Sequence, residues 1–141
     1  MRKIDITDLS KVSKKHPCLS VGVSQIGINR SLSILLGVNP GDSVSIYNNG
    51  TEKEPELYIG KTRDGEEGFE TNGKNRYTRI YNRKLLYFLR EMINQSNRSR
   101  GVPNFLKTDT LIVPVSKVEN DKYPDVYLLI LREVFAQDEV K

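Results

Sequence analysis

Apolar residues in the first half of the chain recur mostly at every second position, which is the spacing of a half-buried strand. Leu19, Val21 and Val23 share one such face. After Asn29, whose side chain suits a helix N-cap, the leucines change to helical spacing, and Gly37 suits the left-handed end of that helix. The pattern predicts strands over 18–28, 43–47 and 57–62 and a short helix over 30–36.

The second half of the chain is predicted to begin with a hairpin and to contain a longer helix. Asn72-Gly73 is a strong hairpin signal and would join arms over 69–71 and 76–81. Asn82 then suits the N-cap of an amphipathic helix over 83–95. Its apolar face would consist of Leu85, Leu86, Phe88, Leu89, Met92 and Ile93. The remaining elements are a polar loop over 94–104, a strand over 109–118 and an apolar strand over 125–134 that would be buried on both faces or lie in a subunit interface.

The order strand, helix, strand, strand occurs twice along the chain. Ile28-Asn29-Arg30 matches Tyr81-Asn82-Arg83 before each helix, and Pro55-Glu56-Leu57-Tyr58-Ile59 matches Pro124-Asp125-Val126-Tyr127-Leu128 further on. The growing offset between the copies indicates an insertion between helix and strand in the second one. One such unit is too small to bury its own sheet, whereas two that interleave would complete a barrel. The alternative is that short amphipathic elements look alike by chance.

The predicted fold is therefore α+β: one small pseudo-two-fold β-barrel, of swapped-hairpin or double-psi type, made of two tandem β-α-β-β units. The predicted organisation is a polar basic arm over 1–16, a first repeat over 17–68, a second repeat over 69–135 with a basic loop over 94–107, and a tail over 136–141, with both repeats in one domain.

Residues 23–47 contain a strand, a short helix that ends in Leu36-Gly37-Val38, and a turn with Gly41-Asp42 before the strand that includes Val44. This pattern resembles the AbrB-type swapped-hairpin regulators and the related MazE-type antitoxins. The resemblance implies a barrel of interleaved halves, which in that family come from two chains, and an association with DNA. Double-psi barrels use a similar unit twice in one chain.

The chain departs from that family where its members bind DNA. Asn29 and Asn82 stand before the two helices, where the family usually has proline. The positions at which DNA-binding members carry arginine hold Gln25, Ser33 and Ile34 in the first copy. The resemblance therefore implies the barrel, and we do not expect the first copy to bind DNA in the family manner.

The net charge of +4 is unevenly distributed along the chain. Residues 71–107 carry nine Lys or Arg against one acid, whereas residues 52–70 carry seven acids against three bases. A dense basic segment attracts polyanions, although a solvated surface is an equal alternative. Tyr77 and Tyr81 lie among these bases and would either stack on the bases of a single-stranded partner or serve as ordinary strand residues. The candidate nucleic-acid-binding residues are Lys74, Arg76, Arg79, Arg83, Lys84, Arg98 and Arg100.

Other chemistry finds little support in the residues. Cys18 is the only cysteine and His16 the only histidine, so we expect no disulfide and no metal cluster. No third side chain near this pair would orient a nucleophile, and the acids lack the spacing of a calcium loop. We therefore expect no enzymatic activity, cofactor or metal. The absence of a long apolar run and of an N-terminal signal core predicts a cytoplasmic protein without a membrane partner.

The sequence thus predicts a nucleic-acid-binding protein, with DNA favoured over RNA, that acts as an AbrB-like transcription regulator or an accessory of DNA metabolism. The alternative is a structural or protein-interaction barrel that forms oligomers such as a homodimer through its apolar C-terminal strand and binds no nucleic acid.

Overall fold

One antiparallel sheet and two α-helices make up the part of the chain that the computed structural model describes, which is residues 16–51, 54–74, 77–120 and 123–137. The helices are α1 (Arg30–Leu36) and α2 (Arg83–Ser99). The strands are β1 (Cys18–Val21), β2 (Ile26–Ile28), β3 (Ser43–Asn48), β4 (Leu57–Lys61), β5 (Phe69–Glu70), β6 (Asn72–Lys74), β7 (Tyr77–Ile80), β8 (Leu111–Asn120), β9 (Tyr123–Leu129) and β10 (Phe135–Ala136). A 3₁₀ turn at Leu131–Glu133 lies between β9 and β10. Most of the predicted arm over 1–16 and of the tail over 136–141 falls outside the described residues.

The sheet curls into a nearly closed barrel. Its strand order is β5-β3-β4-β9-β8-β1-β2-β7-β6, and β10 pairs with β8. The two ends of this order, β5 and β6, are separated in the chain by Thr71 alone, so the ends of the sheet meet at that residue. The α+β class and the barrel-like sheet agree with the prediction.

Thr71 fixes this closure and has no exposed surface. Its backbone N–H donates to the carbonyl of Asp42 at 2.9 Å, and its own carbonyl accepts from the N–H of Gly41 at 2.9 Å. Its hydroxyl adds a bond of 2.6 Å to the same Asp42 carbonyl. The turn between α1 and β3 is therefore bound to the point where the sheet closes.

The core follows the predicted alternation along β1 and β2. Every second residue of these strands points into the barrel with at most 2% of its surface exposed: Leu19, Val21, Ile26 and Ile28. The expectation that Val23 continues this face is wrong, since Val23 is 61% exposed. It lies in a turn closed by a bond of 2.9 Å from the N–H of Gly22 to the carbonyl of Gln25, and this turn separates β1 from β2.

The predicted hairpin has a different turn. Asn72 and Gly73 lie inside β6, where Gly73 is opposite Thr78, so the connection to β7 falls at residues 75–76, outside the described residues. The expected first arm, 69–71, pairs with β3 instead. Because Thr71 is bound to Asp42, the chain is held in place at the position where the Asn-Gly turn would begin, and pairing overrides local turn propensity.

Helix α2 is longer than its apolar pattern indicates. It ends at Ser99, and Gly101 follows in the left-handed region with φ of 70°. The expected loop over 94–104 is therefore helical up to residue 99. The inner face continues through Ser96 and Asn97, which are polar yet buried. The side chain of Asn97 donates to the carbonyl of Pro103 at 3.2 Å, so this buried amide is satisfied.

Candidate nucleic-acid interface

Helix α2 begins where the sequence predicts, because Asn82 caps it. The side-chain oxygen of Asn82 accepts the N–H of Leu85 at 2.9 Å. Leu85, Leu86 and Leu89 then pack into the core. The helix positions next to these leucines therefore face outward, and they carry both charged and aromatic side chains.

A cluster of basic and aromatic side chains occupies this outward side. Arg83 and Lys84 are exposed, Tyr81 is 60% exposed, Tyr87 61% and Phe88 40%. Residues four apart on a helix have Cβ atoms about 5–6 Å apart, so Arg83 lies beside Tyr87 and Lys84 beside Phe88. We call these five residues the basic–aromatic cluster.

Sequence reasoning found only part of this cluster. It identified Arg83, Lys84 and Tyr81, but it placed Phe88 on the buried face of the helix and did not consider Tyr87. The correction for Phe88 is that it lies at the margin of the apolar stripe, beside an open groove of about 300 Å³. The groove is lined by Ile46, Asn48, Phe69, Lys84, Leu85 and Phe88.

The electrostatics of the cluster favour an anion. The first turn of α2 contains no acid, and its two cations stand at the positive end of the helix dipole, where cations are unfavourable. Within the described part of the chain, neither Arg83 nor Lys84 has an acidic partner within 4 Å. A phosphate at this position would relieve the repulsion.

Arg79 lies on the outer face of β7, where alternation also places Tyr81, because Thr78 and Ile80 are buried. Its partners across the sheet are Gly27 on β2 and Asn72 on β6. The side chain is half-buried and engaged in an interaction within the protein. Arg79 therefore borders the cluster without belonging to its exposed part.

Arg98 and Arg100 lie at the opposite end of α2, and Arg98 is about 22 Å from Arg83 along the helix axis at 1.5 Å per residue. Arg98 forms an ion pair of 2.7 Å with Glu91 and donates to Gln95 at 2.7 Å. Arg100 donates to the side chain of Asn97 at 3.0 Å and to the backbone carbonyls of Ser96 and Arg132. The expected polar loop is here the bonded end of a helix, so these two residues do not adjoin the basic–aromatic cluster.

The side chains of Lys74 and Arg76 lie outside the described residues, so their predicted role in binding stays a prediction. Lys74 is the last residue of β6, and β7 continues through Tyr81 into α2.

Arg90 is half-buried, and its guanidinium is bonded within the fold. Its guanidinium donates to five backbone carbonyls, at 2.9 to 3.3 Å, from two separate segments: Val21, Gly22, Leu106, Lys107 and Asp109. Burial lowers the pKa of Arg90, an effect that the nearby carboxylate of Asp109 partly offsets. The basic segment of the sequence therefore separates into a clamp inside the fold and exposed groups at two ends of a helix.

The surface beside α1 differs from the cluster. Ile34 is 70% exposed, and the hydroxyl of Ser33 lies 3.4 Å from that of Thr78. A groove of about 480 Å³ runs beside them, and Arg30 is the cation that lines it. This helix presents no basic–aromatic group comparable to that of α2 within the described residues.

Cys18 and His16 do not form a reactive pair. The thiol of Cys18 accepts a bond of 3.1 Å from the side chain of Asn29, and burial raises the pKa of that thiol. His16 contributes its backbone carbonyl to the same asparagine. Within the described ranges, no three His, Cys, Asp or Glu side chains are grouped so as to hold a metal ion. No helix in this part of the chain is long and apolar enough to cross a membrane.

Comparison of the chain with the models of known protein families, with curated proteins and with solved structures finds no match in any of the three.

Proposed function

We propose that the protein binds nucleic acid through the basic–aromatic cluster at the start of α2. The observation that carries the proposal is the exposure of two cations and three aromatic rings within eight residues, at a helix end that favours anions. Exposed arginine and lysine bind phosphates, and exposed rings offer faces to bases. Regulation of transcription or an accessory role in DNA metabolism would use this binding.

Binding to a labelled oligonucleotide, followed by fluorescence anisotropy over a range of salt concentrations, tests the proposal. Each neutralised phosphate contributes a slope of roughly −0.7 to −0.9 to the log–log plot of affinity against salt. Replacement of both Arg83 and Lys84 by Ala should therefore weaken binding and flatten that slope by roughly 1.4 to 1.8. Lys107→Ala with Arg132→Ala removes the same charge from two exposed residues outside the cluster and serves as the control. Equal losses in the two double variants would contradict the proposal.

The duplicated architecture is part of the same proposal. In two places the pairing joins predicted counterparts: β2 pairs with β7, and β4 pairs with β9. Such pairs are what a two-fold axis through a duplicated barrel requires, since each element on the axis meets its own copy.

Three local features also recur in the two halves. Asn29 and Asn82 cap the helices in the same way, each accepting an N–H three residues on at 2.9 Å. Gly37 and Gly101 end the helices with φ of 71° and 70°. The side chain of Asp42 accepts the N–H of Asn39 at 2.8 Å, and that of Asp109 accepts the N–H of Leu106 at 2.9 Å. These recurrences support a repeated unit with a longer helix in its second copy.

The second candidate function is self-association, for which the edge of β3 is a better candidate interface than the predicted C-terminal strand. Strand β9 was the expected interface, but β4 and β8 pair with its two sides, and Leu129 is buried. An open edge lies instead on β3, which pairs with β5 only at Ser43 and Val44. Beyond Val44, alternation directs the N–H and C=O groups of Ile46 and Asn48 away from β4.

A second copy of the chain would meet this edge as an antiparallel strand beside the apolar groove. Light scattering coupled to size exclusion should then show a dimer, and Ile46→Lys should convert it to a monomer, because a charged edge residue opposes strand addition. Far-UV circular dichroism checks that the variant stays folded. A strict monomer for the unmodified protein at high concentration would exclude this candidate.

A further inference from the structure

We infer that the basic–aromatic cluster takes single-stranded nucleic acid, with Arg83 and Lys84 on phosphates and the rings of Tyr81, Tyr87 and Phe88 against unstacked bases. This inference rests on the proposed function and names the form of nucleic acid that fits the site.

The exposed rings are the first argument. Tyr81 and Tyr87 are each about 60% exposed and Phe88 is 40% exposed, so three aromatic faces are open to a ligand. In a duplex the faces of the bases are covered by their neighbours, and only base edges and the backbone are accessible. A single strand offers the faces themselves, and stacking on a protein ring tolerates any base.

The composition of the rest of the outer face is the second argument. A helix that reads a duplex enters the major groove with hydrogen-bonding side chains directed at base edges. One turn beyond Tyr87, the outer face of α2 carries Glu91, whose carboxylate would approach the phosphates on either side of a groove. Glu91 is 58% exposed at its side chain and pairs with Arg98. A strand that crosses only the first two turns of the helix avoids this acid.

The spacing of the groups is the third argument. Arg83 with Tyr87, and Lys84 with Phe88, each combine a phosphate ligand and a stacking surface about 5–6 Å apart at the Cβ atoms. Two such pairs lie side by side, so cations and rings alternate along the surface. Phosphates and unstacked bases alternate in the same way along a single strand.

Three probes of equal length separate this inference from the proposed function: an oligothymidylate, a blunt duplex, and an abasic strand with the same number of phosphates. Anisotropy should show the oligothymidylate binding about tenfold or more tighter than either of the others. Duplex binding equal to or tighter than single-strand binding, or abasic binding equal to that of oligothymidylate, would overturn the inference and leave the proposed function standing. Binding of none of these three probes, and none of an RNA strand of the same length either, would remove both.

Ring variants test the stacking itself. Tyr87→Leu should weaken oligothymidylate binding about fivefold or more and leave binding to the abasic strand unchanged, whereas Tyr87→Phe should retain both affinities. Phe135→Leu is the matched control, because Phe135 is 53% exposed on β10, away from the cluster. A strand that contains 2-aminopurine gives a second readout, since stacking on a ring quenches its fluorescence. Equal effects of Tyr87→Leu and Phe135→Leu would count against the inference.

Discussion

At the scale of single residues, Asn29 and Asn82 cap two helices with the same hydrogen bond but differ in their other hydrogen bonds. Asn29 also accepts the N–H of Cys18 at 3.1 Å, and its NH₂ group donates to the carbonyl of His16 at 2.7 Å and to the sulfur of Cys18. It therefore links the start of α1 to the start of β1. Among the described residues, the side chain of Asn82 forms only the helix-capping bond.

Substitution by Asp separates the two roles. Asn29→Asp loses both donors and places a carboxylate against a carbonyl and a sulfur, so the free energy of unfolding should fall by about 2 kcal/mol. Asn82→Asp keeps the cap and adds a negative charge at the positive end of a helix, so it should be neutral or stabilise by up to about 1 kcal/mol. Urea denaturation of both variants measures the difference. Equal destabilisation by the two substitutions would show that Asn29 is only a cap.

Arg90 allows a second prediction at this scale. Arg90→Ala leaves five carbonyls without their shared donor and should lower the free energy of unfolding by about 2–4 kcal/mol. Arg98→Ala removes a surface ion pair whose two side chains are about half exposed, so it should cost less than about 1 kcal/mol. Thermal or urea unfolding distinguishes them, and similar costs for both arginines would refute the role of Arg90 as a clamp.

At the scale of elements, α2 combines a well-formed cap with an unfavourable charge pattern. Arg83→Glu with Lys84→Glu should raise the free energy of unfolding by roughly 0.6–2 kcal/mol, since each substitution exchanges a repelled charge for an attracted one. The same double variant should lose nucleic-acid binding. Urea denaturation and anisotropy on one protein sample check both results. A variant that is less stable than the original would contradict the electrostatic account of the helix start.

The elements also show how far the sequence alone predicts this protein. Both ends of α1 follow from adjacent residues, Asn29 and Gly37, and they were predicted correctly. The end of α2 was not, because Ser96 and Asn97 read as loop residues although tertiary contacts bury them. The turn at Asn72-Gly73 failed for a similar reason, since the bonds of Thr71 to a distant turn decide the path of the chain there.

The site divides in the same way. Exposure of Arg83 and Lys84 follows from the cap of Asn82, which sets the helix phase and was visible in the sequence. The exposure of Phe88 depends on where the apolar stripe meets β3, which the helical period does not specify. Arg90 bonds to carbonyls of two segments that are distant from it in the chain, so no local sequence pattern predicts its role in the fold.

At the scale of the whole molecule, two aspartate turns are tied to the sheet by different means. The Asp42 turn binds the backbone of Thr71, whereas the turn that ends at Asp109 is held by the side chain of Arg90, which also reaches the end of β1. Asp42→Ala and Asp109→Ala each remove a side-chain bond to a turn N–H and should each cost about 1 kcal/mol. Asp42→Ala also removes an ion pair of 3.9 Å with Lys61, which is half exposed and adds little to that cost. Urea titrations measure both, and a neutral effect at either position would weaken the case that the turns are equivalent.

The passage of the chain through Thr71 has a consequence for how the protein opens. In a closed barrel, hydrogen bonds between two strands complete the sheet and remove its free edges. Here the chain itself passes from β5 to β6 through Thr71, so these two end strands cannot separate at that residue. The amide hydrogen of Thr71, which is buried and bonded to the Asp42 carbonyl, should consequently exchange with solvent slowly, and a single cut of the peptide bond after Thr71 would leave β6 joined to the sheet only through β7.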